Sequence, residues 1–377
     1  MRADVAIVGG GLAGLAAGRR LHHAGIDFVL LEARERLGGR ILSVGADGVP
    51  ADDGFDLGAS WFWPAMQPAL ASLAHDLGLA VFAQHVDGHW LIERTRSAPP
   101  LRYPSMRQEP ASMRIAGGTG ALTDALARSL PPDRVHPGTP VARVVLEDAA
   151  VTLSGADGSP LLEARQVILA APPRLLSATL SFDPPLDPAT IARSRGTPTW
   201  MAPHAKFFAL YDRPFWRDAG LSGAAQSALG PMTETHDATS ASGAAALFGF
   251  LGVASDQRRA IGEAAMVEAC VAQFRRLFGP PAASPLATLF KDWAADSLTA
   301  TADDRITTGH PVPGSLQWID GAWAGRLSLA GSETSDTEPG YLAGAVQAGE
   351  RAVAERLRAL RARTAIHTAR QSTGWES

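Results

Sequence analysis

The stretch Val5-Ala6-Ile7-Val8-Gly9-Gly10-Gly11-Leu12-Ala13-Gly14 decides the reading of the fold. Four apolar residues run into glycines, and the residues from Leu12 to Ala24 then carry helical periodicity closed by Gly25. A second apolar run, Asp27-Phe28-Val29-Leu30-Leu31-Glu32, completes the order strand, turn, helix, strand. This is a βαβ unit whose two strands form a buried parallel pair. Gly9, Gly11 and Gly14 stand as G-x-G-x-x-G between strand and helix, where glycine allows a tight turn, close approach of a pyrophosphate and close helix packing. The helix N-terminus faces the phosphate, and Glu32 at the end of the second strand is placed to accept hydrogen bonds from a ribose diol. The unit is expected to bind a dinucleotide.

Around this unit the chain has 377 residues, 46% of them apolar and 19% charged, so a globular protein of two domains, or of one large domain with an insertion, is expected. A formal charge of −4 leaves no electrostatic footprint for nucleic acid or for an anionic membrane surface. Cys270 is the only cysteine. That excludes an internal disulfide and a cysteine-based zinc site and is compatible with a reducing cytosol. Met1-Arg2-Ala3-Asp4 enters a strand at once, with no room for an export signal. No apolar run approaches the roughly 20 residues that span a bilayer. The expectation is a cytoplasmic protein without a membrane anchor.

Further along, Pro64 to Leu79 reads as helix, Val81 to Glu93 as a hairpin turning at Asp87-Gly88, and Ser97 to Pro110 as irregular. Gly117-Gly118-Thr119-Gly120 opens another helix, and Val141–Leu146, Val151–Leu153 and Gln166–Ala170 form a three-stranded meander. Strands at Lys206–Tyr211 and Leu247–Leu251 with a long helix over Ala260–Phe278 suggest a second, α+β domain. Strand Leu327–Ala330, a Gly-Ser-Glu-Thr turn and a helix from Tyr341 to about Arg361 return to the first.

The glycines do not separate FAD from NAD, but Arg36-Leu37-Gly38-Gly39-Arg40 directly after Glu32-Ala33-Arg34 does. From Val5 to Ser43 the chain resembles the opening of the flavin amine oxidase family, in which the second glycine pair and its arginine also approach the cofactor phosphates. Arg40 would supply a charge-assisted bond to pyrophosphate. Asp56-Leu57-Gly58-Ala59-Ser60-Trp61 is similar to the family's next motif, which lies against the flavin ring, and Pro140-Val141 to the strand whose backbone meets the adenine. Leu329-Ala330-Gly331-Ser332-Glu333-Thr334, Gly340-Tyr341-Leu342-Ala343-Gly344-Ala345 and Ala348-Gly349-Glu350-Arg351-Ala352 are family-like in kind and spacing. The resemblance implies an α/β FAD-binding Rossmann-like domain of the GR2 type, a βαβ unit plus a β-meander, with an interleaved α+β substrate domain. Its expected bounds are 1–70, 113–190 and 303–363 for FAD, 71–112 and 191–302 for substrate, and a tail over 364–377. FAD would be held by Gly9, Gly11, Gly14, Glu32, Ala33, Arg34, Gly39, Arg40, Gly58, Ala59, Ser60, Val141, Gly331, Ser332, Glu333 and Tyr341.

On the substrate side, Lys206 in His204-Ala205-Lys206-Phe207-Phe208 matches the family lysine that holds a water against flavin N5. Tyr341 matches one of two rings that flank the amine's path in the monoamine oxidases, and Trp293 matches a tryptophan beside the flavin. Two departures from the family stand out. The second ring of the aromatic pair falls near Asp303, and no Ser-Gly-Gly-Cys-Tyr segment is present. The cysteine that carries covalent flavin in some relatives is therefore missing, so FAD should be non-covalent. Asp303 or Asp304 could pair with a cationic substrate, although capping within Thr301-Ala302-Asp303-Asp304 is the reading preferred. Trp61, Phe62 and Trp63 suit a pocket wall or an ordinary core cluster equally. His85, Asp87 and His89 alternate as metal ligands could, but the Asp87-Gly88 turn breaks that geometry. His22-His23 near the end of the first helix reads as favourable dipole placement.

The resemblance implies transfer of a hydride equivalent from the carbon beside an amine nitrogen to flavin N5, an imine that water hydrolyses to an aldehyde or ketone, and hydrogen peroxide when O2 reoxidises the flavin. The partners implied are a small amine and O2; a homodimer is compatible with the sequence. A flavin desaturase or dehydrogenase acting on a C–C bond, and a catalytically silent flavin-binding protein, stand as the alternatives, with Lys206, Trp293 and Tyr341 weighing against both.

Overall fold

A run of β-formers with no polar residue has to be covered on both faces, and Val5, Ala6 and Ile7 are wholly buried in the strand Arg2–Val8. The computed structural model of the chain describes residues 1–105, 109–148, 150–305 and 309–372. By contacts the chain divides into two units, each assembled from separated segments.

The first unit comprises Met1–Gly39, Leu126–Pro198 and the chain from His310 on. Among the described residues its sheet has eight strands, in the order Ser181–Asp183, Arg143–Leu146, Val151–Ser154, Pro160–Leu169, Arg2–Val8, Phe28–Leu31, Val135–His136, with Leu327–Leu329 also paired to Pro160–Leu169. Arg2–Val8 lies parallel to both neighbours, so that Val8 stands opposite Leu169 on one side and Leu31 on the other. The three strands from Arg143 to Leu169 are the expected antiparallel meander. The helix Leu12–His23 packs against the helix Leu342–Ser372. Gly349 makes that approach close, since a Cβ there would lie 2.4 Å from the Ala13 carbonyl oxygen.

The second unit comprises Arg40–Ala125 and Thr199–Gly309. Its main sheet runs Ala287–Asp292, Ala205–Tyr211, Ala245–Leu251, Met232–Asp237, Leu221–Ser227, His89–Glu93, Leu101–Pro104. Side chains alternate across it. Phe207, Leu247 and Leu251 pack with Cys270 and Phe274 of the helix Glu263–Phe278, while Phe208, Leu210 and Phe248 face Val44, Phe55 and Leu57. The strand Ala205–Tyr211 is buried along its whole length, which accounts for its almost unbroken apolar sequence around Lys206.

Several local expectations are corrected. Val81–Ala83 and His89–Glu93 do not form a hairpin: the first pairs with Met113–Ile115, the second with Leu101–Pro104 and Leu221–Ser227. Gly88, at φ +107°, lies against Gly220 and Leu221 instead of closing a two-residue turn. Leu101–Pro104 is a strand within the stretch read as irregular, of which residues 106–108 lie outside the described residues. The helix read from Pro64 begins at Pro68, and the one read over Ala260–Phe278 is interrupted at Gly262, whose φ is +85°. The last helix runs to Ser372 because its alanine-, arginine- and leucine-rich sequence offers no breaker; residues 373–377 lie outside the described residues. By contacts, residues 40–70 and 113–125, expected with the dinucleotide-binding part, group with the second unit. Strand pairing accounts for this in part, through Ser43–Val44 on Phe55–Asp56 and Met113–Ile115 on Val81–Ala83. No helix among the described residues is long and apolar enough to cross a membrane.

Candidate active site

In the first unit the glycine turn is fixed by sterics. A Cβ on Gly9 would lie 2.6 Å from the Ala170 carbonyl oxygen, and one on Gly14 would lie 1.9 Å from that of Gly9. Gly11 is the N-cap of the helix Leu12–His23; among the described residues no side chain caps that end, and no acidic residue occupies its first turn. A Cβ on Gly11 would meet nothing closer than 3.9 Å. An uncapped helix start with space before it suits a phosphate. The Glu32 carboxylate is buried and oriented, with Oε2 accepting from Gly10 N at 2.6 Å and Oε1 from Arg34 N at 2.8 Å. Arg36 donates to the carbonyls of Leu37 and Gly39, and Gly38 N donates to Gly10 O at 2.8 Å. The second glycine pair is thereby tied to the first.

Ala33 and Val141 are half-buried in the same unit. Gly331 approaches the Ala171 carbonyl so closely that a Cβ would lie 2.4 Å from its oxygen. Beside it Ser332 Oγ donates to Glu333 Oε2 at 3.1 Å, and both residues are buried. Tyr341 is half-exposed and stacks on His310, with ring centroids 4.4 Å apart and planes at 22°. His310 lies seven residues past Asp303, near which the spacing places the second ring, and no sequence motif marks it.

In the second unit Lys206 is 3% exposed. Its Nζ donates to the carbonyl oxygens of Asp56 at 3.1 Å and Gly58 at 2.6 Å, and to Ser60 Oγ at 2.8 Å. An ammonium has three hydrogens, and all three go to this one turn. The rings of Phe248 and Phe250 lie 4.8 and 5.0 Å from Nζ. Burial among them pushes Lys206 down to about 7, against the pull of Asp56 and Glu234. Gly58 is sterically required, because a Cβ would lie 1.9 Å from the Arg40 carbonyl oxygen. Trp293 Nε1 donates to Leu57 O at 2.9 Å, so lysine and tryptophan hold the same segment from two strand ends. Trp293 is in turn anchored through Asp292, which pairs with the buried Arg258 at 2.6 Å and caps Ala294 N. Arg40 donates from Nη1 to the Trp200 carbonyl at 2.9 Å.

The Asp56 carboxyl was not singled out by the sequence. It is 1% exposed, and its Oδ1 accepts from Ser43 Oγ at 2.6 Å and Thr119 N at 2.8 Å. The single Thr119 hydroxyl hydrogen reaches either Asp56 Oδ1 at 2.9 Å or Ala59 O at 2.7 Å. Burial raises the carboxyl's affinity for its proton, while Arg114, Ser43, Thr119 and Lys206 oppose it.

Asp304 forms the expected cap. Its Oδ2 accepts from Thr301 N and Oγ1, both at 2.9 Å, and Oδ1 accepts from Thr199 N at 3.2 Å. Buried and committed to these donors, it is no partner for a substrate cation, and Asp303 is exposed beside it. Phe62 is core, whereas half-buried Trp61 joins a ring cluster with His236, Phe248 and Phe250. Among the described residues no group of three or more His, Cys, Asp or Glu could hold a metal ion.

A sequence model for flavin-containing amine oxidoreductases matches residues 12–98 and 82–357. The chain belongs to that family. It is similar to the Mycobacterium tuberculosis protein AofH, which carries the name of a flavin-containing monoamine oxidase, at 29% identity over 93% of this chain and 96% of that one. It is similar to putrescine oxidase of Kocuria rosea at 24% identity over 87% and 85%. Among solved structures, cyclohexylamine oxidase from Brevibacterium oxydans shares the fold with a TM-score of 0.78 at 22% identity, over 95% of this chain and 99% of that one. The enzyme is thus a flavin-dependent oxidoreductase acting on amines, and the C–C desaturase reading is not favoured. The residues present fit the cofactor: the uncapped helix start and the glycine turn leave room for an anion, and the fixed Glu32 carboxylate beside them has the chemistry that a ribose diol needs.

Proposed function

We propose that the enzyme holds FAD non-covalently and oxidises a small amine at the carbon that bears its nitrogen, with O2 as the terminal acceptor and hydrogen peroxide as a product. The observation that carries this reading is Lys206, buried and fastened by three hydrogen bonds to the Asp56–Ser60 turn. A buried lysine costs several kcal/mol unless it is paired or neutral, and nothing in the packing of a strand requires one there.

When bound, the isoalloxazine supplies a two-electron acceptor. The chain's part is binding, orientation and exclusion of water. Gly9, Gly11 and Gly14 would admit the pyrophosphate, with Gly39 and Arg40 completing the phosphate contacts. Glu32 would accept from the ribose, with Ala33 and Arg34 following it. Val141 would meet the adenine, and Gly331, Ser332 and Glu333 would line the remaining length. Gly58, Ala59 and Ser60 would lie against the ring system, their backbone fixed by Lys206 and Trp293. Tyr341 would shape the approach of the amine. The apolar faces of half-buried Trp61 and Phe250 would favour the neutral amine, whose nitrogen lone pair assists loss of hydride from the neighbouring carbon. Water then hydrolyses the imine to a carbonyl compound.

Non-covalent binding is supported by Cys270, the only cysteine, which lies in the core with its thiol pushed up to about 12. The same lone reduced cysteine supports a cytoplasmic location. Anaerobic mixing of the yellow protein with primary, N-methylated and di- or polyamines, followed by flavin absorbance, tests the function. Rapid bleaching with one class and peroxide on admitting air are expected. No bleaching with any amine, with FAD demonstrably bound, would overturn it.

A further inference from the structure

The three donors of Lys206 leave a chemical question: a charged lysine seated on the Asp56–Ser60 turn has no hydrogen left for a water or a cofactor atom. Such a partner can be held only by the lone pair of the neutral amine, or after one of the three bonds is given up. Whatever fixes the turn and biases the charge of Lys206 therefore governs what the lysine can do. We propose that Asp56 is a positioning residue acting through Lys206: its carbonyl seats the ammonium, and its carboxyl group, tied to Ser43 and Thr119, fixes the turn on which the ammonium sits.

The geometry is closed on both sides. Asp56 O accepts from Lys206 Nζ at 3.1 Å, while Oδ1 of the same residue takes Ser43 Oγ at 2.6 Å and Thr119 N at 2.8 Å. Ser43 Oγ also accepts from Gly120 N at 2.8 Å, so the helix start at Gly120, the strand at Ser43 and the lysine meet at one aspartate. Among the described residues its buried Oδ2 receives no hydrogen bond. The nearby charges of Arg114 and Lys206 favour the ionised carboxyl group. Arg114 is itself buried and held by the carbonyls of Thr239 and Ala238. The charged groups facing Lys206 are Asp56 and Glu234, which favour its ammonium, and Arg114, which opposes it. Lys291 stands opposite it on the neighbouring strand but is paired to Asp296 at 3.0 Å.

The inference rests on the reading of Lys206 as a site residue, and its test reads Lys206 directly. The chain contains two lysines, Lys206 and Lys291, so lysine-selective isotopic labelling of the FAD-loaded protein gives two side-chain NMR signals, assigned by Lys206→Met. In the wild type the Lys206 signal should titrate near about 7. In Asp56→Asn its midpoint should fall by about one pH unit, as loss of an opposite charge at close range predicts, and the pH profile of anaerobic flavin reduction should move with it. Ser43→Ala, which keeps the carboxyl group but loosens it, should lower the midpoint by less. An unchanged Lys206 midpoint in both variants would overturn the proposal, and Ser43→Ala alone decides if Asp56→Asn does not fold. Failure of the titration to respond would leave amine oxidation standing, whereas failure of that reading would show as no flavin bleaching in the wild type.

Discussion

Replacing Lys206 by methionine should change how stability depends on pH, and the size of the change follows from the burial of Nζ. Lys206 is pushed from 10.5 down to about 7 in the folded protein. The unfolded chain therefore binds more protons between those values, and stability rises with pH across that window. Below about 7 both states carry the charge and the folded state bears the whole penalty: 3.5 pH units at ~1.36 kcal/mol each, about 5 kcal/mol. Between about pH 7 and about pH 9 the wild type should recover about 2 kcal/mol of this. Methionine fills the same apolar space with no charge and leaves the Asp56, Gly58 and Ser60 acceptors without their donor, a cost that does not vary with pH. Denaturant unfolding of both proteins at matched FAD saturation, at several pH values, gives the difference directly. The gap between the Lys206→Met variant and the wild type should shift in favour of the wild type by about 2 kcal/mol over that range. A gap that is flat with pH, or that shifts the other way, would refute the reasoning.

Other outcomes follow from the same contacts. Gly14→Ala sets a Cβ against the Gly9 carbonyl oxygen at 1.9 Å; the protein should purify with little or no FAD, which the flavin-to-protein absorbance ratio reads. Glu32→Ala removes the acceptor held by Gly10 and Arg34 and should weaken FAD binding by roughly tenfold to a hundredfold, measured by fluorescence titration of the apoprotein. Asp304→Ala should cost about 1–2 kcal/mol in denaturant unfolding through loss of the cap. It should leave the KM for monoamines and diamines equally unchanged, because its oxygens face Thr301 and Thr199.

Local chemistry made much of this legible in the sequence. Phe28–Leu31 is buried at every position, as expected of a short apolar run that follows a helix closed by Gly25. Gly9 and Gly14 of the first turn are each required by a backbone carbonyl that any side chain would obstruct. Lys206 stood out because it matches the family lysine, and its strand is otherwise apolar. What stayed hidden depended on partners remote in sequence. The two runs Val81–Ala83 and His89–Glu93 each have strand character, but nothing local says that one will pair with Met113–Ile115 and the other with Leu101–Pro104. Asp56 was visible as a letter in a motif, yet its work depends on Ser43, Thr119 and Lys206, up to 150 positions away. The ring against Tyr341 was sought at Asp303 by counting from Trp293, and counting cannot follow a chain that caps a turn at Asp304 before reaching His310.

The sheet of the first unit also orders events in time. Arg2–Val8 is made early, but its neighbour Pro160–Leu169 needs Leu327–Leu329 on its other side, and the helix Leu12–His23 is covered by the helix Leu342–Ser372. During synthesis the glycine turn emerges long before the elements that cover it, leaving apolar strand edges open until roughly 300 residues or more have been translated. A cofactor that binds only the finished turn would then draw the late-folding segments into place by mass action.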